Sequence, residues 1–222
     1  MHCMKRPISH DRSLGLEPRK RNAAATRERL LQAALSEFCE YGFSGSRTAA
    51  IAARAECNIR MLYQYFGNKE GIYLAALELV YAELRAREEK LDLLHLNPDK
   101  GMIVLVESTF DHMLAHQEFI KMMGIENIHQ GRFLHQSKAV PKGAMPLVKS
   151  IKTLLLRGQQ QGLFRNRVDP VQLYVSILSL CYIHISNKHT LSITFGQDMT
   201  DKKWMAKRRK HVSEMVLGFL MA

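Results

Sequence analysis

Apolar residues recur along most of the chain with the spacing of an α-helix. The first clear run lies on one helix face, at positions i, i+3, i+4 and i+7: Leu31, Ala34, Leu35 and Phe38. Thr26 is a suitable N-cap residue ahead of this run, and Gly42 suits the position just after a helix end. The pattern therefore predicts a first helix from about Thr26 to Tyr41.

Two short helices and one long helix are predicted next. Helix two begins near residues 46–48, behind a glycine-rich turn, and ends near Ala55. Helices three and four follow Asn58 and Asn68, because asparagine is a good N-cap. Helix four runs for about 22 residues, or roughly 33 Å, which is long enough to connect a small domain to a larger body. Two short helices packed on a longer one are typical of a helix-turn-helix.

The remainder of the chain is also patterned as helices. The predicted segments are 99–115, 117–135, 144–161, 170–187 and 202–220, with breaks at His116, at Pro141 to Pro146 and at Gly162 to Pro170. The fold class is therefore all-α, with about nine helices. We assign residues 25–70 to a helix-turn-helix DNA-binding domain and residues 71–222 to a larger helical bundle. Residues 1–24 are basic and poor in large apolar groups, which predicts a disordered basic arm.

The charge of the chain indicates a polyanionic partner. The 222 residues carry a formal net charge of +11 and a pI of about 9.6, which suits nucleic acid or an acidic membrane surface. No segment has the length and apolar character of a signal peptide or of a membrane span. The four cysteines form no C-x-x-C pair, so they are expected to be free thiols in a reducing compartment. These features predict a soluble, cytoplasmic protein without a membrane partner.

Residues 58–70, read as NIRMLYQYFGNKE, are the most informative stretch of the chain. With the preceding helices, they resemble the TetR family of one-component bacterial repressors. The residues that carry the resemblance are Ala33, Ala34, Phe38, Gly42, Thr48, Ile51, Ala52, Ala55, Leu62, Tyr63, Tyr65, Phe66, Lys69 and Glu70. The resemblance implies a three-helix DNA-binding domain, an effector-binding and dimerisation body, and a homodimer through the last two helices. It also implies a ligand-responsive regulator, most simply a repressor of a palindrome-like operator in double-stranded DNA.

The sequence departs from the family pattern at the turn and in the recognition helix. Glu56 stands where the family usually has a glycine, and residues 59–61 read Ile-Arg-Met where a small or basic run is common. These departures concern the operator sequence rather than the fold. Segments 125–134, 157–170 and 186–196 resemble TetR-type regulators of nicotinate and related aromatic-acid catabolism. That resemblance implies a small organic effector, such as an aromatic acid.

Helix three must pack with one face and meet the DNA with the other. Arg60 can bond guanine O6 and N7, Gln64 can read adenine or bond a phosphate, and tyrosine hydroxyls can reach phosphates. The candidate DNA-binding residues are Arg47, Thr48, Asn58, Ile59, Arg60, Met61, Tyr63, Gln64, Tyr65 and Lys69. The tyrosines could instead belong to the core, and Lys69 could be an ordinary solvated lysine. Arg19, Lys20 and Arg21 either follow an adjacent groove or form a solubilising tail.

Polar residues on otherwise apolar helices are the candidates for an effector pocket in the body. They are Phe110, Met113, Asn127, His129, Arg132, Tyr174, His184 and Asn187, with Phe110 and Met113 as apolar lining. Arg132 or His129 could pair with the carboxylate of an acid. The alternative for each polar residue is a satisfied packing contact between helices.

Two pairs have the spacing of metal ligands: His112 with His116, and Glu126 with His129. A second E-x-x-H motif and an H-E-x-x-H motif are both missing, so we predict no metal site and no cofactor. The chain also lacks a P-loop, a G-x-G-x-x-G and a G-x-S-x-G motif, and we do not predict an enzyme. The alternatives to a ligand-responsive repressor are an effector-independent DNA-binding regulator and a helical metalloenzyme.

Overall fold

The computed structural model describes residues 17–222, and it describes side chains for residues 22–222. Within that range the fold is all-α, as the sequence predicts, with ten α-helices and a short 3₁₀ helix at Leu134–Gln136. The helices are α1 (Glu17–Gly45), α2 (Thr48–Arg54), α3 (Ile59–Phe66), α4 (Lys69–Glu89), α5 (Pro98–Ala115), α6 (Gln117–Ile128), α7 (Ala139–Gln160), α8 (Pro170–Ser186), α9 (Lys188–Phe195) and α10 (Lys202–Leu220). None of these helices combines the length and hydropathy needed to cross a membrane.

Helix α1 begins earlier than the sequence predicts. Its backbone is helical from Glu17, so residues 17–24 do not form the expected disordered arm, while residues 1–16 lie outside the described part of the chain. Thr26 is not an N-cap, because its hydroxyl donates to the carbonyl of Asn22 at 2.8 Å, one helical turn back. The predicted break at Gly42 is present, since this residue leaves the helical region with a φ of 69°.

The first three helices form a small core. The residues that meet at its centre are Leu30, Ala34, Phe38, Ile51, Ala55 and Leu62, all of which are buried. Ala34 and Phe38 belong to the apolar face predicted for the first helix, and burial of this face against α2 and α3 holds the helix-turn-helix together.

Helix α4 belongs both to this small domain and to the body. Its first half buries Tyr73, whose ring lies 4.9 Å from Phe38 and 5.0 Å from Phe43 of α1. The same ring lies 4.8 Å from Phe133, which precedes the 3₁₀ helix of the body. Edge-to-face aromatic pairs at these distances are favourable beyond the area that they bury. The two domains therefore share one continuous hydrophobic core.

In the body, helix α5 is central, and α4, α6, α7, α8 and α10 pack around it. Its helices differ from the prediction in three places. Helix α6 ends at Ile128 because Gln130 and Gly131 adopt positive φ angles of 56° and 74°. Helix α7 starts at Ala139, with one proline in its first turn, where no backbone N–H is needed, and Pro146 inside the helix. The extra helix, α9, lies between the predicted segments 170–187 and 202–220, in a stretch for which no helix was predicted.

Candidate nucleic-acid interface

The recognition helix α3 is short and is held at both ends. At its start, the Asn58 side chain accepts a hydrogen bond from the backbone N–H of Arg60 at 2.9 Å. Beyond its end, the Asn68 side chain caps α4 by accepting from the N–H of Gly71 at 2.8 Å. A Cβ atom on Gly71 would lie only 2.0 Å from the carbonyl oxygen of Phe66. Because glycine has no side chain, the end of α3 can contact the start of α4 at this position.

One side of α3 is free to meet a ligand. Leu62 is fully buried, whereas Arg60, Tyr63 and Gln64 are exposed, and we call these three residues the reading face. The other predicted DNA-binding residues of this helix, Ile59, Met61 and Tyr65, are half-buried. The last two of these pack against the core. The structure thus presents three of the predicted side chains together and turns the others partly inward.

The start of α2 lies beside the reading face. The Thr48 hydroxyl is 3.1 Å from the Tyr63 hydroxyl, so these two predicted phosphate contacts are adjacent. Arg47, at the N-cap position of α2, is exposed. Hydroxyl groups and an arginine grouped next to a helix that can enter a groove are suited to contact the DNA backbone.

A buried carboxylate fixes α2 against α1. Glu37 forms an ion pair with Arg54 at 3.3 Å, and it accepts a longer hydrogen bond from the backbone N–H of Arg47 at 3.5 Å. Its backbone carbonyl accepts from the hydroxyl of Ser46 at 3.0 Å. Arg54 also pairs with Glu40 at 3.0 Å. This network was not predicted from the sequence, because its partners are 9 to 17 residues apart and tertiary packing brings them together.

Lys69 and Asn58 are occupied within the protein. The Lys69 ammonium lies 4.8 Å from the centre of the Phe43 ring, a cation–π geometry, and burial lowers the pKa of the amine. The amide of Asn58 is exposed but serves as the helix cap. Both side chains thus have partners within the protein, and their predicted contacts with DNA stay a prediction.

The turn between α2 and α3 places a strained residue beside the reading face. Glu56 has a φ of 52°, the left-handed region that glycine adopts freely and other residues adopt at a cost. The N–H of the next residue, Cys57, returns to the carbonyl of Ala52 at 3.0 Å and closes the turn. The observed angle explains why glycine is common at this position in the family.

The eight predicted effector residues lie in three separate places. Phe110, Met113, Tyr174 and His184 are buried in the body, where the Phe110 and His184 rings stack with their centres 5.0 Å apart. Three others lie at the end of α6 and in the loop that follows it: Asn127, His129 and Arg132. Asn187 is exposed between α8 and α9. The structure does not unite them in one site.

The three residues of the second group make contacts within the protein. Arg132 forms an exposed ion pair with Glu70 of α4 at 2.6 Å. The His129 ring packs against the rings of Phe43 and Phe133. The side-chain amide of Asn127 donates to the carbonyl of Met123 at 2.8 Å.

The body contains a buried polar group that the sequence did not single out. Arg85 of α4 is paired with Glu88, and it donates to the Tyr174 hydroxyl of α8 at 3.3 Å. Tyr174 in turn donates to Glu88. Arg85 lines two neighbouring cavities, of about 200 and 260 Å³, and its buried Nε has no hydrogen-bond partner in the described part of the chain. A signal was present, since Arg85 and Glu88 flank the apolar face of α4 three residues apart.

The lysines of the basic run at residues 202–210 are exposed to solvent, whereas its two arginines contact neighbouring helices. Arg209 donates to both carboxylate oxygens of Asp111, at 2.8 and 2.9 Å, and it pairs with Glu107 at 2.9 Å. Arg208 is partly buried and bonds the carbonyl of Leu180. These two arginines stabilise the packing of α10 on α5 and α8.

The fold and the reading face together define a helix-turn-helix DNA-binding protein with a separate helical body. Comparison with known proteins identifies the family. Residues 30–76 match the family of bacterial regulatory proteins called tetR, and residues 98–216 match the tetracyclin repressor-like C-terminal domain. The chain belongs to the TetR family of transcriptional regulators, and its relatives carry regulatory rather than catalytic roles.

Individual relatives agree with this assignment. The HTH-type transcriptional repressor NicS of Pseudomonas putida is 35% identical over 199 residues, which cover 90% of this chain and 94% of NicS. A TetR family regulator from Marinobacter aquaeolei has the same fold, with a TM-score of 0.68 and 17% identity, over 91% of this chain and 98% of its own. The regulator FadR from Bacillus subtilis, solved with stearoyl-CoA, matches with a TM-score of 0.63 and 16% identity, over 87% of this chain and 98% of the FadR chain.

The strain at Glu56 yields the first prediction. Glu56→Gly should stabilise the protein by about 1 kcal/mol, because glycine adopts the left-handed conformation without a Cβ penalty. Glu56→Ala is the matched control: it removes the same carboxylate but keeps the Cβ atom, so it should give no such gain. Thermal and urea unfolding of both variants measure the difference. Equal stability of the two variants would show that the turn is not strained.

Proposed function

We propose that the protein is a homodimeric transcriptional repressor that binds a palindrome-like operator and is released by a small organic acid. The observation that carries the proposal is the exposed reading face of Arg60, Tyr63 and Gln64, on a helix that is capped and packed at both ends. A net charge of +11 supports a polyanionic partner. NicS, which shares 35% of its residues over most of both chains, is named a transcriptional repressor.

Each residue of the interface has a distinct role in this proposal. Arg60 donates two hydrogen bonds to a guanine in the major groove, and Gln64 bonds an adjacent adenine or a phosphate. The hydroxyls of Tyr63 and Thr48, with Arg47, bond the phosphate backbone and set the register of the helix. In a dimer, two such helices enter successive major grooves about 34–36 Å apart.

The dimer forms through α8 and α10. Large apolar side chains on these helices remain exposed in the single chain: Val171, Val175, Ile183, Met215 and Phe219. Val171, Val175 and Ile183 lie on α8, and Met215 and Phe219 lie on α10. An apolar surface shared by two adjacent helices is well suited to pack against a second copy of itself.

The effector is an aromatic acid whose carboxylate binds Arg85. Support comes from the two cavities that meet at this arginine, from its unpartnered Nε, and from Tyr174, a predicted effector residue, which it contacts. The ligand carboxylate would compete with Glu88, for which burial raises the pKa and disfavours the charged form. Segments of the body that resemble regulators of nicotinate and aromatic-acid catabolism support the choice of acid.

Release follows from the position of Arg85 on α4. Helix α4 starts directly beneath the recognition helix, so a shift of α4 changes the spacing of the two reading faces in the dimer. A complete switch requires about 5.5 kcal/mol of differential binding between the two conformations. One carboxylate pair does not supply this, so burial of the aromatic ring and a change of pocket shape must contribute as well.

Arg60 should control specificity. Arg60→Ala should weaken binding by about 1–3 kcal/mol and relax the preference at a single operator base pair. Arg47→Ala should instead lower the affinity for all DNA sequences alike, and it should reduce the slope of log affinity against log salt concentration by about one. Fluorescence anisotropy with an operator selected from random duplexes, and with its single-base variants, measures both effects. Lys152→Ala removes an exposed charge of α7 and is the control. Unchanged affinity in the Arg60 and Arg47 variants would refute the proposed interface.

The dimer surface gives a second prediction of function. Phe219→Lys buries a charge at the proposed interface and should convert the dimer to a monomer in sedimentation or light scattering. Ile193→Lys, which alters an exposed residue of α9 away from that face, should leave the dimer intact. A monomeric wild-type protein, or dissociation by both substitutions, would remove α8 and α10 as the dimer surface.

The effector pocket can be tested by thermal shift. A small aromatic acid at about 100 times its Kd should stabilise the protein by about 2.7 kcal/mol. Arg85→Lys keeps the positive charge but loses the planar guanidinium group, which donates two parallel hydrogen bonds to a carboxylate. It should therefore lower the affinity for the acid without affecting operator binding. Arg87→Lys, on the same helix, is the matched control. If no acid in the screen stabilises the wild type while operator binding persists, the effector-independent regulator becomes the better description.

A further inference from the structure

Three potential metal ligands meet where α4 passes the junction of α5 and α6. Glu83 of α4, His116 at the junction and Glu118 in the first turn of α6 each place one ligand atom within 4.8 Å of the other two. The Nδ1 atom of His116 is 2.9 Å from Oε1 of Glu118. His116 and Glu118 are neighbours in sequence, and the packing of α4 against α6 adds Glu83 to them.

A second observation points to the same place. His112, one helical turn before His116, is 1% exposed, and neither of its ring nitrogens has a hydrogen-bond partner among residues 22–222. Its ring stacks on that of His116, with the centres 4.3 Å apart. A buried polar side chain without a partner is uncommon and calls for a physical reason.

The charges around the three residues favour a cation. Glu83 and Glu118 each place a carboxylate oxygen within 4.8 Å of the other and of a ring nitrogen of His116. Two carboxylates and a neutral imidazole together carry two negative charges, which a divalent ion balances. Such an ion would remove the repulsion between carboxylates that the folded chain brings together.

We propose that Glu83, His116 and Glu118 bind a divalent transition-metal ion of the zinc type, beside the buried ring of His112, which stacks on His116. An imidazole with two carboxylates favours zinc over magnesium, which prefers oxygen ligands and retains its water. In a tetrahedral site with metal–ligand bonds of about 2.0–2.2 Å, neighbouring ligand atoms lie about 3.4 Å apart. Ligand atoms near the 4.8 Å limit therefore need to approach by up to about 1.4 Å, which rotation of partly exposed side chains allows.

The site has a position from which it can affect DNA binding. Glu83 and Glu118 line a cleft of about 500 Å³ that is bounded on its other side by α1 and by Arg54 of α2. An ion held by both carboxylates fastens α4 to α6 next to the DNA-binding domain. The ion therefore stabilises the position of α4 seen here. If this position affects DNA binding, the metal changes the affinity for the operator, and the operator changes the affinity for the metal by the same factor.

Metal binding can be measured without any operator. Full-length protein is stripped with a chelator and titrated with ZnCl₂ by calorimetry, with MgCl₂ as a parallel titration. We expect one zinc ion per protomer and no comparable binding of magnesium. His116→Gln and Glu118→Gln should each lower zinc affinity by at least about ten-fold, and His112→Gln by about ten-fold or more if its ring supports the site.

Matched substitutions keep the result specific. His95 and Asp92 form another histidine–carboxylate pair, exposed and outside the cluster, so His95→Gln should leave zinc affinity unchanged. Circular dichroism of the zinc-free variants checks that the ligand substitutions leave the fold intact. Equal zinc binding by wild type and a Glu83→Gln/His116→Gln/Glu118→Gln variant overturns the site, as does a wild type that binds no zinc.

The proposed coupling has a separate readout. Operator affinity is measured by anisotropy with and without zinc, in wild type and in the Glu118→Gln variant. A zinc-dependent change in wild type that is lost in the variant supports the coupling. Zinc binding at the three ligands with unchanged operator affinity overturns the coupling and leaves both the metal site and operator recognition standing.

Discussion

The packing of Tyr73 against aromatic rings from both domains is the constraint on which the rest of the structure depends. Its ring contacts Phe38 and Phe43 on one side and Phe133 on the other, so α4 cannot leave one core without disturbing the other. Two residues earlier, Gly71 touches the end of the recognition helix. Close-packed interiors move between discrete packings rather than deforming smoothly. A displacement of α4 in the body is therefore transmitted to the reading face as a change of position.

Two kinds of contact at the loop after α6 stabilise this junction, and they differ in strength. Its ion pair between Arg132 and Glu70 is exposed, and such pairs contribute little. By contrast, Glu126 is buried and accepts hydrogen bonds from the N–H groups of Phe133 and Leu134, both at 2.8 Å. Charge-assisted bonds to backbone N–H groups are stronger than neutral ones. Glu126 thus shapes the loop that carries Phe133 into the aromatic cluster, which is a structural role for one member of the E-x-x-H spacing.

Local signals in the sequence were sufficient where a residue acts on its own backbone. Asn58 and Asn68 mark the starts of α3 and α4 because their side chains cap the following turn. The same logic failed at Thr26, whose hydroxyl found a carbonyl within the helix. It also failed for the effector residues, because partners far away in sequence decide their roles: His184 stacks on Phe110, and Arg132 pairs with Glu70. The fold was predictable from periodicity, whereas the grouping of polar side chains depended on tertiary contacts.

Helix α4 presents the two proposed ligand sites on opposite sides. Glu83 and Arg85 are two residues apart, which separates their directions by about 200° around the helix. Glu83 faces α6 and the cleft beside α1, while Arg85 faces Tyr174 of α8. An ion at Glu83 holds α4 in its present position. An acid whose carboxylate displaces Glu88 from Arg85 instead weakens the contact of α4 with α8. If the acid acts by moving α4, each ligand must lower the affinity for the other, because coupling free energies are reciprocal.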